Sequence, residues 1–135
     1  MISIPKDIYN EIIVYAKKAY PHECCGVLLG KDKKVATARL MENINRDRAH
    51  DRYEVNPKEL LKIEKEALAG RLEIIGFYHS HPDHPDRPSV FDRERGWPFY
   101  SYVIISVHNG KDVSVRSWIF EDEKEPFREE GMKIV

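Results

Sequence analysis

The chain has 135 residues, a length typical of a single domain of roughly 100–150 residues, and it is 41% hydrophobic and 33% charged. Its 22 basic and 23 acidic residues leave a formal net charge of −1. That balance argues against a polybasic protein that binds nucleic acid or a membrane surface, and the apolar content excludes a disordered or collagen-like chain. No apolar stretch approaches the roughly 20 residues of a bilayer span, and no signal peptide is visible. We therefore expect a cytoplasmic protein of one domain, with its core at about residues 1–120 and a charged tail at 121–135.

The first half of the chain predicts two helices and several short strands. Apolar residues recur at helical spacing after Pro5 and again after Asn56-Pro57, where asparagine and proline suit a helix start. In chain order, the predicted elements are an edge strand at Ile2–Ile4, a helix from Pro5 to Tyr20, strands at Gly26–Gly30 and Val35–Met41, a polar loop at Asn43–His50, a short strand at Tyr53–Val55 and a helix from Asn56 to Gly70.

The second half predicts three longer strands and one short helix. Asn109-Gly110 is a strong hairpin signal between two apolar runs. The elements are a strand from Leu72 that runs into His79, a proline-rich loop, a helix that starts at Ser89, strands at Tyr102–Val107 and Val113–Phe120, and an ambiguous charged tail. The charge run Glu121–Glu130 of this tail is expected to be a solvated surface. Together they predict an α/β domain with a mostly antiparallel sheet and helices packed on its faces.

The two histidines in His79-Ser80-His81 point to a metal site. At the end of a strand, residues i and i+2 project from the same face. Three prolines in the following loop make it stiff enough to bring Asp92, one turn into the next helix, back over the strand end. Two histidines and an aspartate form a recognised catalytic zinc site with a fourth position for water, whose pKa bound zinc lowers to about 7. Taken alone, the two histidines would more often be ordinary core or surface residues.

Such a site also needs a general base, and Glu23 is the candidate. It stands in an otherwise uncharged stretch just before the predicted strand at Gly26–Gly30. In isolation it would be a solvated loop carboxylate. The neighbouring Cys24 and Cys25 are too close in sequence for an unstrained disulfide, so we expect reduced, partly buried thiols without a catalytic role.

These residues together resemble the motif of the JAMM (MPN-plus) metalloprotease family, E…H-S-H-x7-S-x2-D. Every position of the motif is present: Glu23, His79, Ser80, His81, Ser89 and Asp92. The stretches Glu23–Gly30 and Ile75–Pro82 also resemble the family, and the likeness extends over about residues 1–120. The resemblance implies the cytidine-deaminase-like MPN fold, an α/β arrangement in a single domain.

The resemblance also implies a role for each motif residue. His79, His81 and Asp92 would bind one Zn²⁺ per chain, and Glu23 would move a proton from water to the leaving amine. Ser89 would donate a hydrogen bond to the developing oxyanion, although a simple helix cap is the alternative. Ser80 points away from the histidines on a strand and is expected to make a structural hydrogen bond.

The family resemblance implies a substrate class as well. JAMM proteins hydrolyse the amide bond after the Gly-Gly tail of ubiquitin or ubiquitin-like proteins. Only eight residues, Arg93–Tyr100, separate Asp92 from the start of the next strand at about Ser101, which leaves little room for segments that read ubiquitin-chain linkage. The chain is thus similar to stand-alone prokaryotic members, which act on MoaD/ThiS-type sulfur carriers and release cysteine, a short extension or a lysine conjugate.

Several alternatives stay open from the sequence. A zinc hydrolase of a small-molecule or other non-peptide substrate and a non-catalytic MPN scaffold are the other candidate functions. The aromatic stretch Trp97–Tyr100 is expected to serve in packing, with a substrate platform or a homodimer interface as alternatives. The remaining four histidines are expected at the surface: His22, His50, His84 and His108.

Overall fold

The computed structural model describes all 135 residues and contains three helices and eight strands. The helices are α1 (Lys6–Ala19), α2 (Pro57–Ala69) and α3 (Val90–Arg95). The strands are β1 (Ile2–Ile4), β2 (Cys25–Lys31), β3 (Lys34–Met41), β4 (Glu73–Pro82), β5 (Ser101–His108), β6 (Asp112–Ile119), β7 (Arg128–Glu130) and β8 (Met132–Ile134). None of the three helices has the length and apolar content that a membrane span requires.

Local sequence signals account for most of these boundaries. The Asn56 side chain accepts a hydrogen bond from the Lys58 main-chain nitrogen at 2.9 Å and caps α2. Asn109 and Gly110, both at positive φ, turn the chain between β5 and β6. The predicted strand at Tyr53–Val55 is wrong. That segment lies outside the sheet, and its main chain is bonded to the neighbouring loop instead, with the Ile44 nitrogen donating to the Glu54 carbonyl at 3.0 Å.

The strands form one mixed sheet in the order β7-β6-β5-β4-β2-β3-β1-β8. Four of the seven pairings are antiparallel, and β4 with β5, β1 with β3 and β1 with β8 are parallel. The predicted mostly antiparallel α/β architecture is confirmed. The parallel β4–β5 pair needs a crossover connection, and α3 lies within that crossover, so α3 begins next to the carboxyl end of β4.

The two outer strands come from the charged tail. β7 and β8 lie at opposite ends of the strand order, yet only Gly131 separates them in the chain. The sheet must therefore curl until its two edges nearly meet. Consequently β1 is an interior strand and not the predicted edge. The expectation of a solvated charge run also fails at Glu130, whose buried carboxylate accepts hydrogen bonds from the Ser101 and Ser117 hydroxyls at 2.6 and 2.9 Å.

Each face of the sheet carries its own apolar cluster. On one face, α1 packs Ile12 and Ala16 with Cys24, and on the other face α2 packs Ile63 with Cys25. The adjacent cysteines therefore point to opposite faces, and both are buried as free thiols. The alternation along β4 directs Phe77 to the α2 face, and the same period of two directs His79 and His81 there as well.

Candidate functional site

His79, His81 and Asp92 meet where β4 ends and α3 begins. The two histidine Nε2 atoms are 3.1 Å apart, and Asp92 Oδ2 lies 3.2 Å from His79 Nε2 and 3.1 Å from His81 Nε2. All three side chains are at least 94% buried. The structure thus brings the three predicted ligands together, with one atom of each facing a common point.

A capping box at the start of α3 holds Asp92 in this position. Ser89 Oγ accepts a hydrogen bond from the Asp92 main-chain nitrogen at 3.0 Å, and the Ser89 nitrogen donates to Asp92 Oδ2 at 2.9 Å. This reciprocal pattern depends only on a serine followed three residues later by an acceptor. The S-x-x-D spacing therefore orients Asp92 through local contacts alone.

The three side chains fit a tetrahedral metal ion. Nitrogen and oxygen ligands about 2.0–2.1 Å from zinc lie about 3.3 Å from one another, close to the 3.1–3.2 Å observed. His81 Nδ1 donates to the Pro85 carbonyl at 2.7 Å, which leaves the lone pair on Nε2, where a metal would bind. Burial lowers the pKa of His79, which favours the neutral ring that metal binding requires.

The charge of Asp92 complements this arrangement. Burial by itself would raise the pKa of Asp92, but the neighbouring His79 and His81 hold it well below its usual range. Burial by itself would lower the pKa of His81, but the hydrogen bond and charge of Asp92 raise it, so a metal that binds there would displace a proton. A carboxylate with two imidazoles is a donor set suited to zinc.

Glu23 lies beside the histidines and is not engaged by other groups. Its side chain is only 4% exposed, its Oε1 has no hydrogen-bond partner, and one of its oxygens lies within 4.8 Å of ligand nitrogens of His79 and His81. Burial raises the pKa of Glu23 to about 8, partly offset by the nearby His81. A carboxyl group that titrates near neutrality can both accept and release a proton.

The two motif serines have different surroundings. Ser80 Oγ accepts a hydrogen bond from the Cys24 nitrogen at 2.8 Å, which confirms its predicted structural role and ties β4 to the residue that follows Glu23. Ser89 is exposed, and its oxygen is used as an acceptor in the helix cap. Its hydroxyl hydrogen remains available to donate to a substrate.

The loop between β3 and α2 forms a wall of the site that the sequence did not reveal. The Tyr53 ring stacks on His79, with ring centroids 4.5 Å apart and an angle of 27° between the planes. The Asn43 side-chain amide donates to the carbonyls of both Glu23 and Arg52, at 3.1 and 3.0 Å. No local pattern marks the contacts of Tyr53 with His79 and of Asn43 with Glu23, because each joins this loop to another part of the chain.

Three side chains, one each on β4, β5 and β6, donate hydrogen bonds that hold the proline-rich loop. The carbonyls of His84, Pro85 and Asp86 accept from Ser106 Oγ at 2.6 Å, His81 Nδ1 at 2.7 Å and Trp118 Nε1 at 2.8 Å, respectively. Three consecutive carbonyl groups are thereby fixed. The middle one is the group that orients His81.

Two cavities flank the three ligands. One, of about 470 Å³, is lined by Glu23, His81, Ser89 and several arginines. The other, of about 480 Å³, lies on the side of Asp92 and is mainly aromatic and aliphatic. Trp97 contributes to it and packs on Phe77, with ring centroids 5.7 Å apart, yet it is 50% exposed. The predicted packing role of the aromatic stretch is therefore confirmed for Trp97 while part of its surface stays accessible.

The other histidines lie apart from this centre. His22, His50, His84 and His108 are all exposed, as predicted. Of these, only His84 lines a cavity of the site.

Known proteins match this chain over most of its length. The family model for prokaryotic homologs of the JAB domain (Prok-JAB) matches residues 5–121. A desampylase from Haloferax volcanii is 35% identical over 112 residues, which cover 78% of this chain and 80% of that protein. A CysO-cysteine peptidase from Mycobacterium tuberculosis is 27% identical over 124 residues, which cover 90% of this chain and 84% of that protein.

Solved structures show the same fold. The solution structure of a protein from Desulfitobacterium hafniense has a TM-score of 0.87 at 27% identity and is matched over 100% of this chain and 93% of that one. The crystal structure of a JAB1/MPN domain protein from Archaeoglobus fulgidus has a TM-score of 0.63 at 18% identity, with 99% of both chains covered. The second likeness concerns the fold alone, and it agrees with the predicted MPN architecture.

Proposed function

This chain belongs to the family of prokaryotic homologs of the JAB domain and is a JAMM-type hydrolase, and we propose that it is a zinc-dependent peptidase or isopeptidase. Its substrate is the amide bond after the Gly-Gly tail of a ubiquitin-like, MoaD/ThiS-type sulfur carrier. The observation that carries the proposal is the convergence of His79, His81 and Asp92, with Oε1 of Glu23 buried and unpartnered beside them. The desampylase and CysO-cysteine peptidase relatives support a substrate of this class.

Zinc held by His79, His81 and Asp92 would supply a Lewis acid and lower the pKa of a water molecule to about 7. Glu23 takes a proton from the attacking water, whose oxygen adds to the carbonyl carbon of the last glycine. The C–N bond then breaks, and Glu23 returns the proton to the leaving nitrogen. The products are the carrier carboxylate and a free amine. The raised pKa of Glu23 suits a group that must work in both directions.

Ser89 would stabilise the negative charge that develops on the substrate carbonyl oxygen. Its hydroxyl can donate to that oxygen while its lone pair still accepts from the Asp92 nitrogen. Removing one such donor typically costs roughly 10²–10³ in kcat. Losing the cap costs about 1 kcal/mol of stability. Ser89→Ala should therefore lower kcat more than a stability defect of that size explains, whereas Ser89→Thr, which keeps the hydroxyl, should recover most of the activity.

Glu23→Gln is the decisive test of the mechanism. The amide has the same shape but cannot accept the proton, so we expect hydrolysis of a carrier–Gly-Gly conjugate to fall by at least about 10²-fold. Zinc content, measured by atomic absorption, should stay at one ion per chain. Glu42→Gln is the matched control, since Glu42 is an exposed carboxylate paired with Arg46. Full activity of Glu23→Gln would contradict the mechanism.

The substrate class is tested by offering carrier–amino acid and carrier–lysine conjugates alongside small amides. Hydrolysis of the conjugates, with none of the small amides, supports a carrier protease. The reverse preference would identify a hydrolase of small molecules and overturn the proposed substrate. Zinc absent from the folded protein would refute the metal assignment.

A further inference from the structure

The cavity beside Glu23 carries an excess of positive charge that catalysis by Glu23 and Ser89 does not require. Three arginines line it, against two carboxylates, Glu23 and Asp51. Arg48 forms an ion pair with Asp51 through Nε at 3.1 Å and through its terminal nitrogen. Arg52 and Arg87 have no carboxylate partner within ion-pair distance. Two guanidinium groups are therefore free to bind an anion at this position.

Arg52 is anchored next to both catalytic elements. Its carbonyl and that of Glu23 accept from the same Asn43 amide nitrogen, at 3.0 and 3.1 Å. Its guanidinium carbon lies 4.4 Å from the centre of the Phe91 ring, and Phe91 precedes Asp92. A guanidinium placed over an aromatic face keeps its N–H groups, which lie in its own plane, free to donate to an anion. The stacking thus holds a positive charge between the Glu23 side and the α3 side of the cavity.

In the proposed mechanism Glu23 delivers the proton to the leaving nitrogen, and Glu23 lines this cavity together with Ser89 and His81. We therefore place the leaving group in this cavity. The cavity on the other side of Asp92 is mainly apolar and suits the carrier tail. A released α-amino acid has its carboxylate one carbon from the leaving nitrogen. In a lysine conjugate, four methylene groups and Cα separate that nitrogen from a carbonyl that is itself part of a peptide bond and uncharged.

We propose that Arg52 and Arg87 recognise the free α-carboxylate of a single amino acid attached to the carrier tail. The enzyme is thereby directed to carriers that end in Gly-Gly plus one residue, in preference to carriers joined to a protein lysine. The inference rests on the proposed function and narrows the choice of leaving group to a single amino acid. A bidentate guanidinium–carboxylate contact is the chemistry by which arginine selects such a terminus.

The test uses the zinc-loaded full chain and two carrier substrates that differ in one group. Both are the same MoaD-type carrier extended by one cysteine after Gly-Gly, one with a free C-terminal carboxylate and one with a C-terminal amide. Hydrogen bonds to charged groups contribute more than neutral ones, so we expect kcat/KM to be roughly 10- to 100-fold higher for the carboxylate form.

Variants identify the groups responsible. Arg52→Gln and Arg87→Gln should each bring the ratio of the two kcat/KM values toward one, mainly through KM. Arg46→Gln is the matched control, because Arg46 belongs to the same loop but pairs with Glu42 and does not line the cavity. Zinc content and thermal unfolding of each variant report on folding independently of the ratio.

The outcomes separate the inference from the proposed function. Equal hydrolysis of both substrates by the wild type, or an Arg52→Gln variant that slows both equally, overturns the carboxylate subsite and leaves the protease intact. Failure to hydrolyse either carrier substrate overturns the proposed function and the subsite together. A ratio of 10 or more that collapses only in the two cavity variants supports the subsite.

Discussion

If His81 binds zinc, substitutions that loosen the proline-rich loop should weaken zinc binding, even at residues that do not contact the metal. The loop carries the carbonyl group that orients His81. Trp118 Nε1 donates to the Asp86 carbonyl at 2.8 Å and Ser106 Oγ to the His84 carbonyl at 2.6 Å. Between them, the Pro85 carbonyl accepts from His81 Nδ1. Trp118→Phe and Ser106→Ala each remove one donor and leave the Pro85 carbonyl less firmly placed.

The expected loss of zinc affinity follows from the number of hydrogen bonds that each variant removes. A neutral hydrogen bond contributes about 1 kcal/mol net, and about 1.4 kcal/mol corresponds to a tenfold change in an equilibrium constant. If most of that energy is transmitted to His81, each single variant weakens zinc binding about three- to tenfold. The double variant should weaken it about 10- to 100-fold, within the range observed for partners of metal-bound histidines.

Competition between the metal-free protein and a fluorescent zinc chelator measures this affinity directly, without any substrate. Ser106→Thr keeps the hydroxyl and should bind zinc like the wild type. Ser114→Ala is the matched control, because Ser114 faces Ser106 across β5 and β6 but is exposed and bonded to nothing in the loop. If the double variant lowers the unfolding temperature while its zinc affinity stays within about twofold of the wild type, the loop does not position His81 and the reasoning is refuted.

Three further predictions concern stability and reactivity. Gly26→Ala should destabilise the fold by about 1–3 kcal/mol in thermal unfolding, because an added Cβ would lie 2.3 Å from the Tyr78 ring; an unchanged unfolding temperature would show that the ring moves freely. Cys24 and Cys25, whose pKa values burial raises to about 11 and 12, should react with iodoacetamide at pH 8 at least about 100-fold more slowly in the native protein than in urea. Rapid labelling of the native protein would contradict the buried placement of both thiols. Because the folded state holds the thiol protons more tightly than the unfolded state, the raised pKa values also predict that the free energy of unfolding falls as pH rises above about 8.5. Removing the metal with a chelator should lower the unfolding temperature of the wild type by roughly 5–15 °C. The unfolding temperature of Asp92→Ala should be nearly insensitive to the chelator. Equal sensitivity of the two proteins would exclude Asp92 as a ligand.

Short-range chemistry explains why much of the centre could be predicted from the sequence. His79 and His81 share a face because strands alternate, and Ser89 orients Asp92 because a capping box closes over three residues. Asn56-Pro57 and Asn109-Gly110 start a helix and a hairpin through their own backbone preferences. Such contacts depend on spacing alone, so the sequence predicted most element boundaries and the proximity of His79, His81 and Asp92.

Long-range packing decided the rest. The charged tail was expected to be solvated, yet the curl of the sheet brings Glu130 against two buried hydroxyls and makes the tail both outer strands. Tyr53 was expected in a strand, and instead stacks on His79. The contacts of Trp118 with Asp86 and of Arg52 with Phe91 follow no local pattern, because the residues of each pair lie more than 30 positions apart in sequence. Spacing within the chain therefore determined which side chains could form the centre, and only the closure of the sheet determined what surrounds it, since contacts between distant elements exist only once the whole domain has packed.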